Sequence, residues 1–158
     1  MGPADLERDI AAGERLLLDT TVLAAYLDTT EVVSPVAIRL LDDFVRPGRN
    51  HAVISMVTVM EILVRPMRLR PRAHQTVLGF LQHHPNLEAV PLDIQMAQDA
   101  AMLRADHRFS PPDALVVATG VECQVDHLVT NDKAWAGKLA NMQTRIHVRT
   151  LADYLPFQ

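Results

Sequence analysis

Short apolar runs alternate with longer helical segments along most of this chain, and that alternation constrains its fold more than any other feature. Leu16-Leu17-Leu18, Ala52-Val53-Ile54, Ala89-Val90-Pro91-Leu92, His127-Leu128-Val129 and Ile146-His147-Val148 read as strands. Between them the apolar spacing turns helical. Val22 to Leu27 starts one helix. Ser34-Pro35 opens another, with Val36, Leu40, Leu41 and Phe44 at helical spacing, and Pro47-Gly48 ends it. The helix after Ile54 is expected to run through Leu63 and to stop before Pro66, because the residue before a proline is pushed out of helical geometry. Arg72 to His83 places Val77, Leu78 and Leu81 on one helix face, and Asp93 is suited to cap a helix reaching Arg104. Ser110-Pro111-Pro112-Asp113 opens a helix to Glu122, a short helix lies near Trp135, and Leu151 to Leu155 forms a last turn. Strands alternating with helices predict an α/β fold with a central parallel sheet covered on both faces.

A length of 158 residues fits one domain, read here as residues 15–158 preceded by an N-terminal tail over residues 1–14. The tail carries Asp5, Glu7, Arg8, Asp9 and Glu14, which is not the basic-then-apolar pattern of a signal peptide. No apolar run approaches the ~18 residues that cross a bilayer. Cys123 is the one cysteine, so neither a disulfide framework nor a cysteine-rich zinc site can form, and a reducing cytoplasm is the expected compartment. The formal net charge is −4. An acidic chain that handles a polyanion needs a local basic patch or bound cations.

In a parallel sheet, ligands sit beyond the carboxyl ends of the strands. Acids stand there in this sequence. Asp19 ends the first strand, Glu61 lies in the helix after the second, Asp113 opens a later helix, and Asp132 follows the fourth strand. Singly, each has a structural explanation. Asp19 and Asp132 can serve helix starts, and Thr58-x-x-Glu61 and Ser110-x-x-Asp113 have capping-box spacing. Together they form a set of hard oxygen donors with no paired His or Cys, which suits Mg²⁺ or Mn²⁺ rather than zinc and points to phosphodiester or phosphoryl chemistry.

The same residues resemble a known family. Asp19-Thr20-Thr21-Val22-Leu23 looks like the opening motif of PIN-domain ribonucleases, and Thr58-Val59-Met60-Glu61-Ile62-Leu63 is similar to their second acidic motif. Pro112-Asp113-Ala114-Leu115 with Ala118-Thr119, then Leu128-Val129-Thr130-Asn131-Asp132, resembles the third and fourth. The ordered set runs from about Leu16 to Leu155, and the compact size is like that of VapC-type toxins of bacterial toxin–antitoxin pairs. The resemblance implies a PIN-like three-layer α/β/α fold, a homodimer, and Mg²⁺-dependent endonucleolytic cleavage of RNA restrained by a small antitoxin. Asp19 and Asp113 would be the main Mg²⁺ ligands, with Glu61 and Asp132 completing the cluster. Thr21 stands where the family often has Ser and would orient water or phosphate, while Thr130 and Asn131 would brace the fourth motif. Water attack would leave 5′-phosphate and 3′-hydroxyl ends. Gly120 departs from the family, which commonly has Ala there.

Arg65, Arg68, Arg70 and Arg72 form the clearest basic patch, either a solvated face or a grip on RNA phosphates. The seven histidines lack zinc spacing. An aspartate-nucleophile phosphatase is a poor match, because the general acid it needs two residues after Asp19 is replaced by Thr21. The remaining alternatives are a housekeeping RNA-processing nuclease and a non-catalytic RNA-binding module on the same fold.

Overall fold

The computed structural model of the chain describes residues 3–69, 72–142 and 144–156. Five short strands form the centre: β1 (Arg15–Leu18), β2 (His51–Ser55), β3 (Leu87–Val90), β4 (His127–Thr130) and β5 (His147–Thr150). All neighbours pair in parallel, in the order β3-β2-β1-β4-β5. The chain builds outward from β1 through β2 to β3, then returns to the other side of β1. The order therefore reverses between β1 and β4, the position at which open parallel sheets bind their ligands beyond the carboxyl edge.

Side chains alternate across the sheet as the pleat requires. Leu16, Leu18, Ala52, Ile54 and Val129 belong to one buried cluster, and Leu17, Val53 and Leu128 to another. In register, Leu17 sits opposite Val53 on one side and Leu128 on the other. Both faces are covered, which is why these strands read as unbroken apolar runs in the sequence. The first face is covered by α1 (Pro3–Asp9), α2 (Thr20–Leu27) and α3 (Ser34–Arg39), the last continuing as a π-helical stretch over Leu40–Val45. The second is covered by α6 (Ile94–His107), α7 (Pro111–Glu122) and α8 (Ala134–Leu139). Helices α4 (Met56–Leu69) and α5 (Ala73–His83) lie between β2 and β3, and a 3₁₀ turn over Leu151–Tyr154 follows β5. No helix among the described residues is long and apolar enough to cross a membrane.

Three local readings of the sequence change in the structure. Helix α4 does not stop before Pro66 but carries it inside, running to Leu69. The amide that proline lacks would have bonded the Ile62 carbonyl. The helix survives that loss on an exposed stretch, with Val64, Met67 and Leu69 facing solvent. Strand β3 begins at Leu87 and ends at Val90, ahead of Pro91, which has no N–H for the ladder. The segment 1–14, set apart as a tail in the sequence, contains α1, and its Leu6 and Ile10 are fully buried in the first cluster. Fully buried Asn50 ties the residues that follow, its side-chain amide donating to the carbonyls of Ala11 (2.7 Å) and Glu14 (2.8 Å).

Candidate active site

Three of the acid-bearing segments follow the carboxyl ends of strands β1, β2 and β4, while Asp113 opens α7, which follows α6. Asp19 directly follows β1 and is the N-cap of α2. It is only 8% exposed, an unusual position for a carboxylate, and three donors hold it. Its Oδ1 accepts from the Thr20 amide at 2.7 Å. Its Oδ2 accepts from the hydroxyls of Thr130 (2.8 Å) and Thr21 (3.3 Å). The Thr130 hydroxyl in turn accepts from the Asp132 amide at 2.9 Å, and Thr21 Oγ1 accepts from the Asn131 amide at 2.8 Å. Two threonines thus lock the turn after β4 onto the turn after β1, across the switch point of the sheet.

Glu61 sits in the second turn of α4, and its Oε2 accepts the Thr20 hydroxyl at 2.5 Å, joining positions 41 residues apart. Asp132 stands two residues before α8, its Oδ1 accepting from the Ala134 amide at 2.9 Å. Asp113 lies in the first turn of α7, and its Oδ2 accepts from Lys138 Nζ at 2.7 Å. Lys138 also stands 4.7 Å from the centre of the Trp135 ring.

Hydrogen bonds therefore connect the segments of Asp19, Glu61 and Asp132, while Asp113 is tied to Lys138. Among the described residues no three His, Cys, Asp or Glu side chains are gathered closely enough to hold a metal ion as they stand. The donor chemistry nevertheless fits a hard divalent cation. Every candidate ligand is an oxygen, and Asn131 Oδ1, between Thr130 and Asp132 in the chain, is buried with no hydrogen-bond partner. Glu61 and Asp113 are held by a hydroxyl and an ammonium, contacts that a cation could replace.

Half of the capping-box pattern is present at one of its two places, where Ser110 caps α7 while the Asp113 carboxylate bonds Lys138. Ser110 Oγ accepts from the Asp113 amide at 3.3 Å, at the start of α7. Thr58, by contrast, is the third residue of α4 and not its cap, fully buried, with an unpartnered hydroxyl, so Glu61 plays no capping role with it. Of the arginine patch, Arg65 and Arg68 are exposed on α4 beyond Glu61, Arg65 lies 3.8 Å from Asp28, and Arg72 precedes α5. Arg70 lies outside the described residues. Two residues of the site escaped the sequence reading. Thr20 is visible only as a member of the Asp19 motif. Nothing in the sequence connects Lys138 to Asp113, 25 residues upstream.

No curated protein sequence matches the chain. Several solved structures share the fold. A toxin–antitoxin complex from Klebsiella pneumoniae matches at TM-score 0.64 and 20% identity, over 89% of this chain and 99% of that one. VapBC2 from Rickettsia felis, bound to a promoter DNA fragment, matches at TM-score 0.65 and 14% identity, over 86% and 98%. The sarcin–ricin-loop-cleaving toxin VapC20 from Mycobacterium tuberculosis matches at TM-score 0.63 and 14% identity, over 82% and 97%. The profile of the PIN domain matches residues 16–138, a span that includes Asp19, Glu61, Asp113 and Asp132. With that match over most of its length, and with a five-stranded parallel sheet between helical layers, the chain belongs to the PIN domain family.

Proposed function

We propose that this chain is a Mg²⁺-dependent endoribonuclease and the toxin of a VapBC-type toxin–antitoxin pair. The observation that carries the reading is the buried Asp19 carboxylate, fixed by Thr130, Thr21 and the Thr20 amide at the point where the sheet order reverses. Glu61 and Asp132 lie in the segments after β2 and β4, and Asp113 opens α7. The toxin half of the reading is supported by likeness of fold to a complex of toxin with antitoxin and to a toxin that cleaves the sarcin–ricin loop.

Asp19, Asp113, Asp132 and Glu61 would hold the cation, with Mn²⁺ as a possible substitute. The chemistry a bound Mg²⁺ would supply is polarisation of the phosphodiester and activation of water. The chain's own residues do the rest. Thr130 and Thr21 keep the Asp19 carboxylate in one orientation before substrate arrives, so no ordering is needed at the moment of reaction. Thr21 Oγ1 already accepts from the Asn131 amide and donates to Asp19, which fixes the hydroxyl beside that carboxylate, where it would orient water or phosphate. Arg65, Arg68, Arg70 and Arg72 supply positive charge for the RNA backbone in a chain that is acidic overall.

The test is incubation of total bacterial RNA with the purified chain in Mg²⁺ or in EDTA, beside Asp19→Asn and Asp113→Asn, with both ends of each product mapped. Discrete Mg²⁺-dependent cuts with 5′-phosphate and 3′-hydroxyl ends, lost in both variants, are expected. Ends carrying 2′,3′-cyclic phosphate would overturn the mechanism, because that product requires attack by the RNA's own 2′-hydroxyl.

A further inference from the structure

Asp113 already has a cation. Lys138 Nζ lies 2.7 Å from Asp113 Oδ2, and the two side chains are 33% and 24% exposed, respectively. The ammonium is held on a second side by the Trp135 ring, 4.7 Å from its centre. Trp135 is buried and packs near Phe109, with ring centroids 6.5 Å apart. Lys138 is therefore no free surface lysine. A carboxylate and a fixed aromatic face locate its charge in the gap between α7 and α8, and each of them favours a cation there.

On the reading above, Asp113 is one of the groups that hold the divalent cation. An ammonium and a divalent cation on one carboxylate repel each other at short range, and the first would have to leave before the second is fully held. We propose that Lys138 is an internal competitor for the divalent cation. Its ammonium neutralises Asp113 until the cation binds, is then released from Asp113, and so sets the Mg²⁺ concentration at which the site fills. This inference rests on Asp113 being part of the cation site.

Two consequences follow from the geometry. Removing the ammonium tightens Mg²⁺ binding, by about five-fold for a partly exposed pair. Release of the ammonium changes the surroundings of Trp135, the one tryptophan in the chain, so its fluorescence reports the event directly.

The experiment titrates MgCl₂ into the full chain by calorimetry and by tryptophan emission. It compares wild type with Lys138→Met, Lys133→Met and Asp113→Asn. Methionine keeps much of the apolar stem, and thermal melts establish that each variant is folded. Lys133→Met removes an equal charge five residues earlier in the chain, from an exposed side chain. The expected result is a Mg²⁺-dependent emission change in wild type and in Lys133→Met. Lys138→Met should bind about five-fold tighter with no such change, and Asp113→Asn should bind weakly. Equal affinity in wild type and Lys138→Met would overturn the competitor role and leave the nuclease reading standing. So would equal tightening in both lysine variants, or wild-type binding that leaves Trp135 emission unmoved. Absence of Mg²⁺ binding in every chain would overturn both.

Discussion

At Thr130 a single hydroxyl, 3.3 Å from Thr21 Oγ1, ties the Asp19 carboxylate to the Asp132 amide. It donates to Asp19 Oδ2 at 2.8 Å and accepts from the Asp132 amide at 2.9 Å, in a position with no solvent exposure. Thr130→Val keeps the shape and removes both bonds. A buried carboxylate and an amide then lose a partner, and a cost of about 1–3 kcal/mol is expected. Urea unfolding measures that loss. On the nuclease reading, cleavage should fall with it by about ten-fold or more, because the freed carboxylate no longer has one orientation. Thr130→Ser retains the hydroxyl and should recover most of both. A valine variant as stable and active as wild type would mean that Asp19 is held well enough by Thr20 and Thr21 alone.

Helix α7 comes close to β1 because Gly120 has no side chain. A Cβ there would lie 2.8 Å from Leu17 Cδ2, 3.2 Å from Val125 Cγ2 and 3.3 Å from Ile146 Cδ1. Gly120→Ala gains about 1 kcal/mol of helix propensity. It also overpacks a buried strand contact, at about 1–3 kcal/mol. The net expectation is a loss of about 1 kcal/mol, read as a fall of about 2–4 °C in melting temperature. A rise would mean that the Leu17 side chain swings aside freely. The same close packing explains what could be read in advance. Strands buried on both faces must be apolar throughout, so β1, β2 and β4 were visible as runs, and the acids stood out because Asp19 and Asp132 follow strands, Asp113 opens a helix and Glu61 lies in the helix after a strand. Contacts made by packing rather than by local pattern were not visible. The Thr20–Glu61 bond spans 41 residues and the Lys138–Asp113 pair spans 25, and neither leaves a periodic signal. Pro66 misled because a solvent-facing helix tolerates a proline that a buried one would not.

Over the whole molecule the N-terminal segment matters more than its charged composition suggests. Only Leu6 and Ile10 give it apolar weight at helical spacing, yet both are fully buried, and Leu6→Ala is expected to cost about 2–5 kcal/mol in urea unfolding. A change under about 0.5 kcal/mol would make the segment a loose attachment. The segment also reaches the far side of the sheet through Glu14, at the edge opposite the acids. The Arg149 guanidinium can only donate, and its Nε lies 3.2 Å from His127 Nδ1. His127 Nδ1 is therefore the acceptor, and the ring proton sits on Nε2, donated to Glu14 Oε2 at 2.7 Å. Burial pushes the His127 pKa below its ordinary value, and the nearby Arg149 and His147 push the same way, against the pull of Glu14. Glu14 is itself raised by burial, but its bonds to His127 and the Ala11 amide, with the Arg149 charge, leave it below the usual carboxylate value. Both groups then bind protons more readily in the unfolded chain. The His127 contribution is complete above about pH 6.5 and is lost as pH falls from there through the folded value. The Glu14 contribution is complete above about pH 4.3 and is lost at more acidic pH. Stability measured in urea from pH 8 to pH 5 should thus decline on acidification, and His127→Gln should remove part of that slope. Subtracting the two curves isolates this ring from the other histidines. A flat difference, or an imidazole titration by NMR with its midpoint above 6.5, would mean that Glu14 outweighs burial and that the N-terminal segment is held by a charged pair.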